Sequence, residues 1–282
     1  MLIFDRQVTL KAHLETIYNA NTTLGFVPTM GALHQGHLSL LEASLKENTT
    51  TIISIFVNPT QFNNPEDLAK YPRTLESDVE KIKSVDSNII IYAPNVADLY
   101  QERPLTEHFD FEGLENQMEG KFRPGHFDGV GTIVKRLFEI VKPTNAYFGE
   151  KDFQQLQIVR KLVQTQRLPV NIVECAIYRE PNGLAMSSRN ERLSSTERQE
   201  ASLLFKILME VKTKFGTESA TDISAWVARL FNDNPTFELE YFQIAEQDTL
   251  LPCLEKDKNK KYRAFIAVFV NNIRLIDTIS LN

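Results

Sequence analysis

Short apolar runs that stop at prolines recur through the first part of this chain, and they limit the folds open to it. Leu24-Gly25-Phe26-Val27 ends in Pro28, Thr51 to Val57 is closed by Pro59, and Asn88 to Tyr92 is closed by Pro94. Runs this short, apolar throughout and bounded by Gly or Pro, suit strands buried on both faces. Helical periodicity fills the intervals. Residues 38–47 follow the first run and residues 75–84 the second. The most regular stretch is 129–142, where Val130, Ile133, Val134, Leu137, Phe138 and Val141 recur at helical spacing before Pro143. Ala146-Tyr147-Phe148 predicts another strand. Residues 152–166 predict a helix with Phe153, Leu156, Val159, Leu162 and Val163 on one face, and Asn171 to Ala176 a further strand. This alternation predicts an α/β fold with a doubly wound, Rossmann-like parallel sheet, whose ligands sit at the carboxyl ends of the strands.

The rhythm changes near residue 180. Helical patterns over 195–215 and 219–233 follow one another, then strands near 238–244, 263–270 and 272–279, with Asn271-Asn272 turning a hairpin. That order predicts a smaller α+β domain. The expected division is 1–178 for a ligand-binding domain and 179–282 for a C-terminal lid domain.

Composition excludes several classes. The 282 residues carry a net charge of −6, which argues against a nucleic-acid groove, since phosphate-backbone binding needs clustered Lys and Arg. A small phosphorylated ligand needs only a few local cations. Cys175 and Cys253 are far apart and in no metal-like spacing, so the expectation is a reducing cytoplasm without disulfides. No signal-peptide pattern opens the sequence, and no apolar run reaches the roughly 18 residues that span a bilayer.

Four clusters carry candidate chemistry. Thr29-Met30-Gly31-Ala32-Leu33-His34-Gln35-Gly36-His37 follows the first strand and opens the first helix. A helix N-terminus offers unpaired N–H groups and positive potential to an anion. Gly36 between the histidines lets a flat ring or a phosphate approach the backbone. The pair also reads as loop histidines at a helix cap, or as half of a metal site; no third metal ligand stands in tight register. The motif alone does not choose among nucleotidyltransferases, aminoacyl-tRNA synthetases and related ligases. Gly149-Glu150-Lys151-Asp152 follows the fourth strand; Lys151 can pair with phosphate and Asp152 can orient a polar group, although such turns are often solvated corners. Ala185-Met186-Ser187-Ser188-Arg189-Asn190 lies beyond the fifth strand and joins hydroxyls to a guanidinium that binds oxygens in a fork, unless it is only a Ser-rich linker. Asn58 and Gln61, in Phe56 to Phe62 at the end of the second strand, give and take hydrogen bonds without charge, which suits a small hydroxy acid. Asp78, on the helix after Tyr71-Pro72-Arg73, is a candidate magnesium ligand or a solvated charge.

Taken together, the segments Phe26 to His37, Phe56 to Phe62, Arg123-Pro124-Gly125-His126-Phe127-Asp128-Gly129-Val130, Phe148 to Gln155 and Gly183 to Asn190 resemble the pantothenate synthetase family, the pantoate–β-alanine ligases of the HIGH-motif nucleotidyltransferase group. The resemblance covers nearly the whole chain. It implies a two-domain, cytoplasmic homodimer that condenses pantoate with β-alanine at the expense of ATP, through a pantoyl adenylate, with Mg2+. It implies that Met30, Gly31, Ala32, Leu33, His34, Gln35, Gly36, His37, Gly149, Glu150, Lys151, Asp152, Tyr178, Met186, Ser187, Ser188 and Arg189 line ATP. His37 would be the proton donor, with His34 and Lys151 beside it in catalysis. Gln61, Gln155, Met30 and Asn58 would hold the organic substrates. Tyr178 stands where the family commonly has a small aliphatic residue, and Ala245-Glu246 where it has Val-Asp. Competing readings are a nucleotidyltransferase for a phosphorylated acceptor, disfavoured by the uncharged glutamines, and a non-catalytic nucleotide-binding regulator. A tRNA-binding synthetase is disfavoured by the acidity.

Overall fold

The computed structural model describes residues 1–62, 65–100, 103–232 and 234–282. The chain divides into two compact units. The first comprises Met1–Glu115, Glu119–Gly149 and Gln155–Ala176, and the second Asn116–Met118, Glu150–Gln154 and Ile177–Asn282. Nothing in the composition announces that two short internal segments group with the later part of the chain.

The first unit is built on a six-stranded sheet in the order β1-β4-β3-β2-β5-β6, parallel throughout. Its strands are β1 (Ile3–Phe4), β2 (Leu24–Thr29), β3 (Thr50–Ile55), β4 (Ile90–Tyr92), β5 (Asn145–Gly149) and β6 (Asn171–Cys175). Helix α1 (Gln7–Ile17) follows β1, and α2 (Gln35–Glu47) follows β2. Helices α3 (Pro65–Lys70) and α4 (Leu75–Val85) follow β3, and α5 (Val96–Tyr100) follows β4. Before β5 come α6 (Met118–Phe122) and α7 (His126–Val141); α8 (Phe153–Gln166) leads into β6. The expected α/β architecture is therefore present, with β1 and α1 as elements that the hydrophobic pattern did not reveal.

Successive strand residues face opposite sides of the sheet, and both sides are covered. Val27, Ile53 and Ile91 lie in register across β2, β3 and β4 and pack with Leu38 and Leu41 of α2 and Val79 and Ile82 of α4. Phe26, one residue back, meets the ring of Phe138 on α7 at 6.2 Å between centroids. Helix α7 starts after Gly125, at φ +79, and ends at Lys142, at φ +50, just before Pro143.

The order of strands reverses at β2, which has β3 on one side and β5 on the other. The sequence predicts a strand that stops before Pro28, whereas β2 runs through it to Thr29. Proline in a central strand costs a ladder bond. Here the cost is avoided by position. Thr29 carbonyl accepts from Phe56 N–H on the β3 side, while Leu24 carbonyl accepts from Thr144 N–H on the β5 side. Alternation points Pro28, like Leu24, toward β5, and β2–β5 pairing covers only Gly25 and Phe26. The missing N–H falls where the two strands have already parted. This reversal of strand order, beyond the carboxyl end of β2, is the place where parallel α/β sheets bind ligands.

The second unit holds a three-stranded antiparallel sheet, β7 (Phe237–Glu246), β8 (Tyr262–Val270) and β9 (Ile273–Ser280), in that order. Its helices are α9 (Ser195–Glu200), α10 (Leu203–Phe215) and α11 (Ala220–Asn232). The single helix expected over 195–215 is two, interrupted at Ala201 and Ser202; a capping box between Ser194 and Glu197 starts the first. The helix expected over 219–233 is α11, and residue 233 lies outside the described residues. Strand β8 alternates cleanly. Tyr262, Ala264, Ile266, Val268 and Val270 join the core with Leu204, Ile207, Leu208 and Val211 of α10 and Ile223, Val227 and Phe231 of α11. On its other face Arg263 and Phe265 meet Glu150 and Phe153. The Asn271-Asn272 turn is present, with Asn271 at φ +51, a conformation that Asn tolerates better than most residues.

Candidate active site

The loop from Met30 to Leu33 leaves the carboxyl end of β2 in an unusual conformation. Gly31 and Ala32 both have positive φ, +84 and +50. A side chain at Gly31 would sit 3.1 Å from Ile55 Cγ2 and 3.2 Å from Asp78 Oδ2, so glycine serves here for both backbone and space. What holds the loop is Asp78. Its carboxylate, 0% exposed, accepts from Ala32 N–H at 3.0 Å and Leu33 N–H at 2.7 Å, and from Thr74 Oγ1 at 3.2 Å. Lys81 Nζ donates to the Leu33 carbonyl at 2.7 Å. The sequence offers Asp78 as a magnesium ligand or a solvated charge; in the structure the carboxylate is buried and holds the loop backbone. Among the described residues no group of three or more His, Cys, Asp or Glu is arranged to hold a metal ion.

His34 caps α2 with extended backbone, and His37 stands one turn on. Their rings lie 4.0 Å apart between centroids, tilted by 35°. The His34 backbone N–H donates to His37 Nδ1 at 3.2 Å, and His37 N–H donates to the His34 carbonyl at 2.8 Å. A nitrogen that accepts cannot carry the proton, so neutral His37 bears its hydrogen on Nε2. The pair thus presents a donor at a helix N-terminus.

The turn after β3 is a 3-10 turn over Pro59–Gln61, capped by Asn58, whose Oδ1 accepts from Thr60 N–H. Asn58 is expected to face a substrate, but its carboxamide is 0% exposed and committed to the protein. Nδ2 donates to the Gly129 carbonyl at 3.1 Å, and Oδ1 accepts from Tyr100 Oη at 2.6 Å and Thr60 Oγ1 at 3.1 Å. Burial pushes the Tyr100 hydroxyl up, which keeps it a donor. Gln61 differs: its backbone carbonyl accepts from His126 Nδ1 at 2.9 Å and Arg123 Nη2 at 3.2 Å, while its side-chain amide has no hydrogen-bond partner among the described residues. The start of α7 therefore clamps the turn. Gly129 permits the approach, since a Cβ there would lie 2.3 Å from the Thr60 carbonyl oxygen. Arg123, His126 and Gly129 are site-shaping residues to which the sequence assigned no role. The Pro-Gly that precedes a helix start was the available signal. Gln155, on α8, is partly buried, and its amide also lacks a partner among the described residues.

The second unit carries the other two clusters. Glu150 to Asp152 forms a 3-10 turn held by Arg263, which is 3% exposed, donates to Glu150 Oε2 at 2.8 Å and stacks over Phe153 at 4.1 Å. Lys151 is partly buried and Asp152 exposed, and neither has an ion pair among the described residues. Residues 178–186 fold back on themselves: Met186 N–H donates to the Tyr178 carbonyl at 3.0 Å and Glu180 N–H to the Leu184 carbonyl at 2.8 Å, with Gly183 at φ +95 in the bend. The Tyr178 ring is 40% exposed, so its size displaces nothing in this unit's core. Two adjacent residues pin the hairpin. Arg179 reaches both Asp277 oxygens at 2.7 and 3.0 Å and stacks on Phe205. Glu180 accepts from Arg198 Nε at 2.8 Å, Arg198 Nη2 at 3.0 Å and Asn190 Nδ2 at 2.7 Å. Burial raises the Glu180 carboxyl, and the Arg198 and Asn190 hydrogen bonds outweigh it, holding the group below the usual carboxylate range. Ser187 Oγ accepts from Arg189 N–H at 3.3 Å; Ser188 and the Arg189 guanidinium have no side-chain partner among the described residues.

Comparison with known proteins gives the family. The family model described as pantoate-beta-alanine ligase matches residues 2–280. A pantothenate synthetase of Flavobacterium psychrophilum is 63% identical over 281 residues, covering 100% of both chains. One of Christiangramia forsetii is 52% identical over 282 residues, again covering 100% of each. The crystal structure of pantothenate synthetase from Thermus thermophilus superposes with a TM-score of 0.90 at 37% identity, covering 100% of this chain and 99% of that one. That of a Francisella tularensis pantoate-beta-alanine ligase, complexed with beta-gamma ATP and beta-alanine, gives 0.79 at 34% identity, covering 100% and 98%. No helix among the described residues is long and apolar enough to cross a membrane. With a family model spanning residues 2–280 and relatives alike from end to end, the chain belongs to the pantoate–β-alanine ligase family of enzymes.

Proposed function

We propose that this chain condenses pantoate with β-alanine in two steps through a pantoyl adenylate, and that His37 donates to the departing pyrophosphate. The observation that carries the reading is the acceptor role of His37 Nδ1, which leaves Nε2–H as the ring's donor at the head of α2. A pantoate carboxylate oxygen attacks the α-phosphorus of ATP, and the bond from that phosphorus to the pyrophosphate oxygen breaks. The carboxylate is already ionised at neutral pH, so no base is needed. The barrier is electrostatic, and positioned donors and cations lower it. His34, Lys151, Ser187, Ser188 and Arg189 supply them in this reading, with Met30–Leu33, Gln35, Gly36, Gly149, Glu150, Asp152, Tyr178 and Met186 lining the nucleotide. Lys151 and Arg189 support it because partly buried cations without side-chain partners among the described residues suit an anionic ligand. Gln61 and Gln155 hold pantoate through amides that have no partner among the described residues, and Gln61 also adjoins β-alanine.

In the second step the β-alanine amine attacks the acyl carbon, the bond from that carbon to the AMP oxygen breaks, and pantothenate and AMP form. With a pKa of about 10, by analogy with lysine, the amine must shed a proton to react. ATP and β-alanine are supported by the Francisella relative, whose structure is described as complexed with beta-gamma ATP and beta-alanine. Among the described residues no group of three or more His, Cys, Asp or Glu forms a cage for magnesium, and the acidic candidate Asp78 holds the loop. No step is assigned to the metal. The homodimer and cytoplasmic location implied by the resemblance belong to the same reading. The deciding experiment supplies pantoate and β-alanine separately and together to purified protein with ATP. Pyrophosphate exchange with pantoate alone, and AMP only when β-alanine is added, is the expected result. AMP formed without pantoate overturns it.

A further inference from the structure

We infer that Glu180 is a positioning residue for the phosphate-binding segment Ser187–Arg189, acting through Asn190 and Arg198. This rests on the reading that the segment binds ATP.

A side chain kept unpaired for a ligand cannot be held in place by its own contacts. In that reading the Arg189 guanidinium, which has no side-chain partner among the described residues, is such a side chain, so its placement has to come from the backbone that carries it. That backbone is closed by Asn190, the next residue, whose N–H donates to the Ser187 carbonyl at 3.0 Å and whose carbonyl accepts from Leu193 N–H at 3.1 Å. Asn190 is 0% exposed. Its Nδ2 bridges Glu180 Oε1 at 2.7 Å and the Ala185 carbonyl at 3.1 Å, and so ties the turn to the hairpin of residues 178–186. Arg198 fixes Glu180 from the opposite side, and its own carbonyl accepts from Asn182 Nδ2 at 3.2 Å. The Glu180 side chain is 8% exposed and touches protein groups alone among the described residues, so it works on a ligand only through its neighbours. A carboxylate is required there because all three incoming atoms are donors, and charge-assisted bonds to one carboxylate are the strong kind. Glutamine keeps the shape but turns a donor toward Arg198.

The test is a double-mutant cycle of Glu180→Gln and Arg189→Ala, read as the KM for ATP and, separately, for pantoate. Glu180→Gln is expected to raise the ATP KM about tenfold and to move the pantoate KM by less than about twofold; in the Arg189→Ala background it should add less than about twofold. An equal rise in both backgrounds, or an equal rise in both KM values, overturns the inference, because a general loss of structure acts that way. A normal ATP KM in Glu180→Gln with a raised one in Arg189→Ala also overturns it and leaves the ATP assignment standing. An unchanged ATP KM in Arg189→Ala overturns the assignment itself and the inference with it. If Glu180→Gln does not fold, Asn190→Ser, which shortens the link without adding charge, runs the same cycle with the same criteria.

Discussion

Asp78 Oδ1 accepts the Leu33 amide hydrogen at 2.7 Å, which ties a carboxylate of α4 to the loop that leads into the histidine pair. Its partner oxygen takes the Ala32 amide, so two successive backbone donors in a left-handed turn depend on one side chain. Asp78→Asn places an amide donor against one of them. We expect a loss of about 1–3 kcal/mol in unfolding free energy by urea titration. Pyrophosphate exchange should fall about tenfold or more as the loop shifts. A destabilised variant with undiminished exchange would show that the loop does not need this anchor.

His37→Ala and Lys151→Ala each remove one donor aimed at developing negative charge in the proposed first step. Each should lower pantoate-dependent pyrophosphate exchange by about a hundredfold or more. Exchange near that of the parent protein in both variants sinks the assignment of the first step to these groups.

Gln61→Ala leaves the backbone carbonyl, and hence the clamp from His126 and Arg123, in place. It should raise the KM for pantoate about tenfold, the loss of about one hydrogen bond to a charged group, and leave the KM for ATP nearly unchanged. A pantoate KM that stays put counts against the role of its amide.

Gly129→Ala forces a Cβ against the Thr60 carbonyl, where the open distance is 2.3 Å. Overpacking of this kind costs about 1–3 kcal/mol. Because the displaced atom belongs to the turn that ends in Gln61, the pantoate KM should rise together with the loss of stability. A thermal shift without any kinetic change would separate the clamp from the site.

Glu180 sets a pH dependence with a definite sign. Its carboxyl is held below the usual range in the folded chain, so its contribution is fully present above the ordinary glutamate pKa of about 4.3 and is lost as pH falls through the lower folded value. The difference in melting temperature between the parent protein and Glu180→Gln should be constant near neutrality and shrink as the medium becomes more acid than about pH 4.3. A difference that grows in acid contradicts the pairing with Arg198.

The strands of the first unit were legible because each is a short apolar run, buried on both faces, with a breaker near its end. Strand β1 is only Ile3–Phe4, and α1 buries just Leu10 and Leu14, so neither writes a recognisable period. The break between α9 and α10 carries no Gly or Pro and escaped for that reason. Among the candidate site residues, the histidine pair and the two glutamines stand out in the sequence by their place near strand ends and by the family pattern, and their roles are part of the proposal. Asn58 and Asp78 were recognised as important, but the pattern reading did not reveal that both are buried and bonded to the backbone. A residue type shows what a side chain can bond to; burial and neighbours decide whether that bond goes to a ligand or to the backbone. The contribution of Arg123, His126 and Gly129 depends on α7 meeting the Pro59–Gln61 turn, a contact between segments far apart in the chain that no local pattern reports.

The place of β2 at the reversal of the sheet also governs the order in which this chain can be assembled. Its pairing with β3 joins Leu24 to Thr50, a short loop closure available early. Its pairing with β5 joins Gly25 to Asn145, and β5 in turn waits for Asn171 of β6. During synthesis at about 5–20 residues per second, the far edge of β2 stays unsatisfied for many seconds after its near edge has closed. Pro28 shortens the exposed ladder on that edge, since it has no hydrogen to offer a wrong strand. The residue that stands where the strands have parted in the finished sheet thus also leaves a wrong strand less to pair with on the growing one.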